Sequence, residues 1–158
     1  MNTKPIAESE VRGAIERGLL AYLILLPCQQ LAKRLPPGGE LDEIIEQLRA
    51  AMTEMVADAD IETAELAVPI GTHAAEILAP MERNTPVANL LSALYLVRTL
   101  VQSDRFTLDA GSPFDVATVR LIALLERDYA ASWDANERAA RRRARALHVS
   151  LIRRGLFG

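Results

Sequence analysis

The chain has 158 residues, half of them apolar and a quarter charged, with a formal net charge of −3. Those figures exclude a disordered chain and suit one globular domain that buries roughly 70% of its unfolded surface. A single cysteine excludes an intrachain disulfide and fits a reducing cytosol. With seven aromatic residues in all, leucine, isoleucine, valine and alanine must fill the core, a composition that favours helices over strands.

The first element is read from Val11, Ile15, Leu19, Tyr22 and Leu26, which recur at intervals of 4, 4, 3 and 4. This is the spacing of one helix face. No charge occurs from Gly18 to Ala32, so the helix becomes apolar all round as it enters the core. Its strongly apolar part, Leu19 to Leu26, is far short of the roughly 20 residues needed to span a membrane. Pro27 is expected to kink or end the helix, because it lacks a backbone donor. The run Leu25-Leu26-Pro27-Cys28 resembles a lipoprotein cleavage box. Pro27, however, stands where a small residue is wanted, and Glu8, Glu10 and Glu16 offset Lys4, Arg12 and Arg17 upstream. Cys28 is therefore expected to be a small buried hydrophobe in an uncleaved, cytoplasmic chain with no membrane association.

Loop signals at 36–40 precede a second helix marked by Leu41, Ile45, Leu48, Met52 and Met55 and ending near Asp58. Two short helical pieces are expected next, interrupted at Pro69 and Gly71. A polar cap at Asn84 or Thr85 with a proline in the first turn opens a helix with Val87, Leu90, Leu94, Val97 and Val101 along a seam. Ser112, Pro113 and Asp115 repeat that start, for a helix predicted to run to about Trp133. Asp134 and Glu137 have the spacing of a capping box, which opens a last, arginine-rich helix over 135–154 that stops before Gly155. The terminal Gly-Leu-Phe-Gly resembles one nucleoporin repeat, but as a single copy it reads as a helix stop. The expected fold is all-α, a single-domain helical bundle of about six helices over 1–158, with a loose N-terminus at 1–6.

Charge is strongly segregated along the chain. Between Glu40 and Glu82 there are eleven acidic residues and one basic, Arg49, whereas from Arg138 onward there are seven arginines and no acid. At ~100° per residue from Arg138, Arg141, Arg142, Arg145 and Arg153 fall within about 60° of it. Ala140, Ala144, Leu147 and Leu151 fall on the opposite side, at roughly 180° to 240°. The helix is thus expected to dock by alanine and leucine and to present a row of guanidinium groups. An outer charged face is ordinary, and cations near a helix C-terminus also suit its dipole. Two features go further. Every cation is an arginine, whose planar fork matches phosphate and carboxylate oxygens. Val149 and Ile152 share the basic side, where a merely solvated face has no need of them. The expected partner is the phosphate backbone of DNA or RNA or, alternatively, an acidic protein surface, such as the 40–82 region of a neighbouring copy in a homo-oligomeric scaffold, within a larger assembly. Interleaved aromatics are missing, which argues against base stacking.

Enzyme signals are sparse. His73 and His148 lie far apart, and no cysteine pair or histidine motif is present to hold a transition metal. The most enzyme-like pattern is Glu43-x-x-Glu46 with Glu62-x-x-Glu65, since carboxylates at i and i+3 share a helix face and two such helices can hold Mg²⁺. In outline it resembles the all-helical nucleotide pyrophosphohydrolases of the MazG kind, which would imply a magnesium-dependent hydrolase. The resemblance covers four residues, and the second pair is Glu/Glu where that family has Glu/Asp. The reading preferred from sequence is a non-enzymatic accessory subunit with no cofactor.

Overall fold

Six α-helices and one 3₁₀ turn are laid down in order: α1 Glu8–Ala32, α2 Glu40–Ala57, α3 Thr63–Leu78, the turn Ala79–Met81, α4 Pro86–Gln102, α5 Pro113–Asp128 and α6 Ala130–Arg153. They are seen in a computed structural model that describes residues 8–57 and 63–158, with side chains placed except at 8, 9, 55–57, 63–69 and 78. The N-terminal residues 1–6, expected to be loose, lie outside the described residues. Among the described residues there is no strand, and no helix is long and apolar enough to cross a membrane.

One contiguous core draws on all six helices. α4 is its central rod. Leu90, Leu91, Leu96 and Leu100 are fully buried there, because α6 packs along one side and α1 along another. The predicted seam of α4 is therefore only part of its buried surface, and Leu94 and Val101 are half-buried at its margin. α1 also contacts α2 and α3, while α5 packs chiefly on α2. That places α6 on the outside of α4, docked by Ala140, Ala144, Leu147 and Leu151. The alanines allow close approach, and the opposite face of α6 is left to solvent.

Local chemistry explains several boundaries. Thr85 caps α4, its hydroxyl accepting from the Ala88 N–H at 3.2 Å, with Pro86 in the first turn. Ser112 does the same for α5, accepting from the Asp115 N–H, while the Asp115 carboxylate reaches back to the Gly111 N–H at 2.8 Å. At the end of α6, Gly155 takes a φ of +78° and the Leu156 N–H donates to the Leu151 carbonyl. This closes a Schellman motif. Leu156 and Phe157 then fold back into the core, and the Phe157 N–H donates to the Glu16 carboxylate of α1. Phe157 itself sits at φ +58°, a left-handed conformation an aromatic residue adopts only when its surroundings impose it. Gly-Leu-Phe-Gly is thus a helix stop and a core plug.

Three expectations are corrected. Pro27 does not end α1, which continues to Ala32. Its φ is compatible with a helix and only one hydrogen bond is lost, while Leu23, Ile24, Cys28 and Leu31 on either side are buried. Likewise Pro69 and Gly71 lie inside one continuous helix, α3, rather than between two pieces. Finally, Asp134 and Glu137 do not open the last helix. The break falls at Tyr129, with φ −131° and ψ 30° and no side-chain cap, so α5 ends at Asp128 rather than Trp133 and α6 begins at Ala130. A direct test follows. Thr85→Ala removes a real cap and is expected to cost about 1 kcal/mol, lowering the melting temperature by roughly 2–4 °C for a chain of this size. Asp134→Ala, inside a helix, is expected to stay within about 0.5 kcal/mol of wild type. Equal losses in the two variants would restore Asp134 as a cap.

Candidate nucleic-acid interface

The helix positions all five predicted arginines outward. Arg138, Arg141, Arg142, Arg145 and Arg153 are exposed along α6. The other two arginines of the segment turn inward and serve the fold. Arg143 is half-buried, its Nε donating to the Ser92 hydroxyl of α4 at 3.0 Å. Burial, and next the charge of Arg142, lower its pKa, although a guanidinium stays protonated at any physiological pH. Arg154 forms an ion pair with Glu76 of α3.

Arg141 differs from its neighbours. Its guanidinium lies 5.1 Å from the centre of the Tyr95 ring and pairs with Glu137 one turn earlier at 2.7 Å. The Tyr95 hydroxyl donates to the same Glu137 oxygen at 3.2 Å. Contact with Tyr95, followed by the charge of Glu137, raises the pKa of Arg141. Among the described residues no carboxylate pairs with Arg138, Arg142, Arg145 or Arg153. The stripe is therefore four uncommitted cations and one that is held in place.

Beside the stripe, between α4 and α6, lies a cleft of about 300 Å³ lined by Tyr95, Arg98, Thr99, Gln102, Arg141 and Arg145. Sequence reasoning missed Arg98. A signal was present, because Tyr95, Arg98, Thr99 and Gln102 stand at i, i+3, i+4 and i+7, a polar stripe on a helix otherwise buried. What sequence does not show is that α6 lays its arginines against that stripe.

Part of the acidic segment is matched within the molecule. Glu40 pairs with Arg127 of α5 at 2.7 Å, Glu43 with Arg120 at 3.2 Å, and Glu46 with Arg49 at 2.9 Å. Glu43 and Glu46, proposed from sequence as half of a magnesium site, thus face guanidinium groups. Glu62 and the side chain of Glu65 lie outside the described residues. Among the described residues no group of three or more His, Cys, Asp or Glu side chains is arranged to hold a metal. His73 and His148 are half-buried on α3 and α6 respectively.

Cys28 is fully buried in α1, and the loss of solvation pushes its thiol up to about 12 from 9.0. The proton linkage has a definite sign. Below pH 9 both states are protonated, so the cysteine leaves stability unchanged; between pH 9 and about 12 only the unfolded chain releases the proton. Stability is then lost as pH rises, by up to about 1.4 kcal/mol per pH unit. Urea melts of wild type and Cys28→Ala are expected to show a shallower alkaline loss in the variant. Parallel curves would mean that the thiol titrates normally in the fold.

No protein-family model matches the chain, and neither a curated protein nor a solved structure matches it, so the functional reading stands on these side chains.

Proposed function

We propose that the chain is a non-enzymatic, cytoplasmic accessory subunit of a larger assembly that grips nucleic-acid phosphates through the outer face of α6. The observation that carries this reading is the row Arg138, Arg142, Arg145 and Arg153, exposed and unpaired among the described residues, while Glu40, Glu43, Glu46 and Glu76 are already held by other arginines. Phosphates neutralised by arginine release condensed counterions, so affinity falls with salt by about 0.9 log units per duplex contact. Fluorescence anisotropy with unrelated duplexes is expected to give log–log slopes of roughly 3 to 5 and similar affinities for every sequence, because phosphate contacts carry no base readout. A flat salt dependence overturns the reading.

A second reading is favoured by Val149 and Ile152, which are 49% and 45% exposed on the same helix. Exposed aliphatics among arginines suit an acidic protein surface with an apolar centre. Binding of another copy's acidic segment is less favoured, since Glu40, Glu43 and Glu46 are already paired. Purification at low and high salt, with absorbance at 260 nm recorded, separates the two partners. A rise of several degrees in melting temperature with Mg²⁺, lost in Glu43→Gln, would instead assign the acidic helices to a cation.

A further inference from the structure

We propose that the cleft between α4 and α6, which shares Arg141 and Arg145 with the outer stripe and adds Arg98, is a binding site for the dianion of a phosphate monoester. The inference rests on the phosphate reading of α6 and adds a ligand class to it. Arg98 from α4 and Arg141 and Arg145 from α6 line one cleft. The carboxylate held against this group is Glu137, on Arg141. Three guanidinium groups against one carboxylate leave two positive charges uncompensated in one cleft, where an anion bridging them relieves their mutual repulsion. A phosphodiester brings one negative charge. A monoester brings nearly two above its second pKa of about 6, with three acceptor oxygens. Charge balance therefore selects the monoester.

The cleft is also shaped for this. Arg141 is pre-positioned by the Tyr95 ring and Glu137, so little side-chain freedom is lost when it meets a ligand. The Thr99 hydroxyl donates to the Tyr95 carbonyl at 2.8 Å, so its proton is committed within α4 and the charged donors offered to the ligand are those of the arginines. Gln102 adds an amide at the exposed end of the cleft. The volume is at the low end of the roughly 300–1,000 Å³ typical of ligand pockets, room for a phosphoryl group with part of a sugar. Two sources share that chemistry, the terminal phosphate of a strand and a free mononucleotide.

The test compares one duplex oligonucleotide with a 5′-phosphate or a 5′-hydroxyl, by anisotropy at pH 7.5, with adenosine monophosphate as competitor. The phosphorylated duplex is expected to bind about tenfold more tightly, the effect of one charge-assisted contact set. That ratio should fall toward one in Arg98→Gln, in Gln102→Glu, and for wild type at pH 5.5, where the monoester loses its second charge. Competition by the mononucleotide in the range of the phosphorylated duplex identifies the free nucleotide as a ligand; weak competition identifies the strand end. Equal binding of the two duplexes, or a ratio unaltered in both variants, overturns the cleft even if salt-dependent duplex binding remains. If neither duplex binds but calorimetry shows mononucleotide binding that Arg98→Gln abolishes, the cleft stands and the backbone-gripping function falls. Absence of binding by every probe overturns both.

Discussion

Leu23→Asp is expected to abolish the native fold. Leu23 is 2% exposed on α1, the helix that touches α2, α3 and α4, with Leu20, Ile24 and Cys28 buried near it in sequence. Aspartate there loses the aliphatic contacts and buries a carboxylate with no partner. Each effect costs several kcal/mol, and together they are comparable to the roughly 5–15 kcal/mol that holds a typical domain together. Circular dichroism should show loss of the cooperative melt. Val119→Asp is the matched control, since Val119 is 58% exposed on α5; its melting temperature should stay within about 2 °C of wild type. A cooperative Leu23→Asp melt near the wild-type temperature would mean that α1 is not the centre of the core.

The contrast between those positions also shows what could be read from sequence. Helix starts with their own chemistry were legible: Thr85 with Pro86, and Ser112 with Pro113 and Asp115, act over three residues and need no tertiary information. The outward arginines of α6 were equally legible, since a helix carrying Ala140, Ala144, Leu147 and Leu151 on one side has its remaining orientation decided. The α5–α6 boundary was not. Asp134 and Glu137 satisfy a capping pattern locally, yet the chain turns at Tyr129, where α5 must leave its seat on α2 and α6 must begin its seat on α4. Nothing at Tyr129 announces that change. Pro69 misled for the opposite reason, because a residue that often breaks helices is here inside one. The cleft was out of reach for a third reason: Arg98 and Arg141 line one cleft only through the packing of α4 against α6.

Reversing Arg138 and Arg142 together is expected to remove nucleic-acid binding without disturbing the fold. Both are exposed, both are unpaired among the described residues, and they stand one turn apart on the outward face. At 0.1 M salt, release of the counterions displaced by one duplex contact is worth roughly tenfold in affinity. Losing two contacts therefore costs about a hundredfold, and two new carboxylates facing phosphates extend the loss beyond that. The log–log salt slope should fall by about 2. Stability should hardly move, because Ala140, Ala144 and Leu147 still dock and crowding of like charge with neighbouring arginines is relieved. Arg141 is unsuitable for this test. Arg141→Glu would set a second carboxylate beside Glu137 and uncover the Tyr95 ring, mixing a packing loss with a binding loss. Arg143→Ala serves as the inverse control. It breaks the contact with Ser92 and should lower stability by about 1–3 kcal/mol while leaving the salt slope intact. Unchanged affinity in Arg138→Glu/Arg142→Glu would take the phosphate-gripping surface away from α6. Loss of a protein partner in that variant, with no nucleic acid bound by wild type at low salt, would give the same arginines to carboxylates.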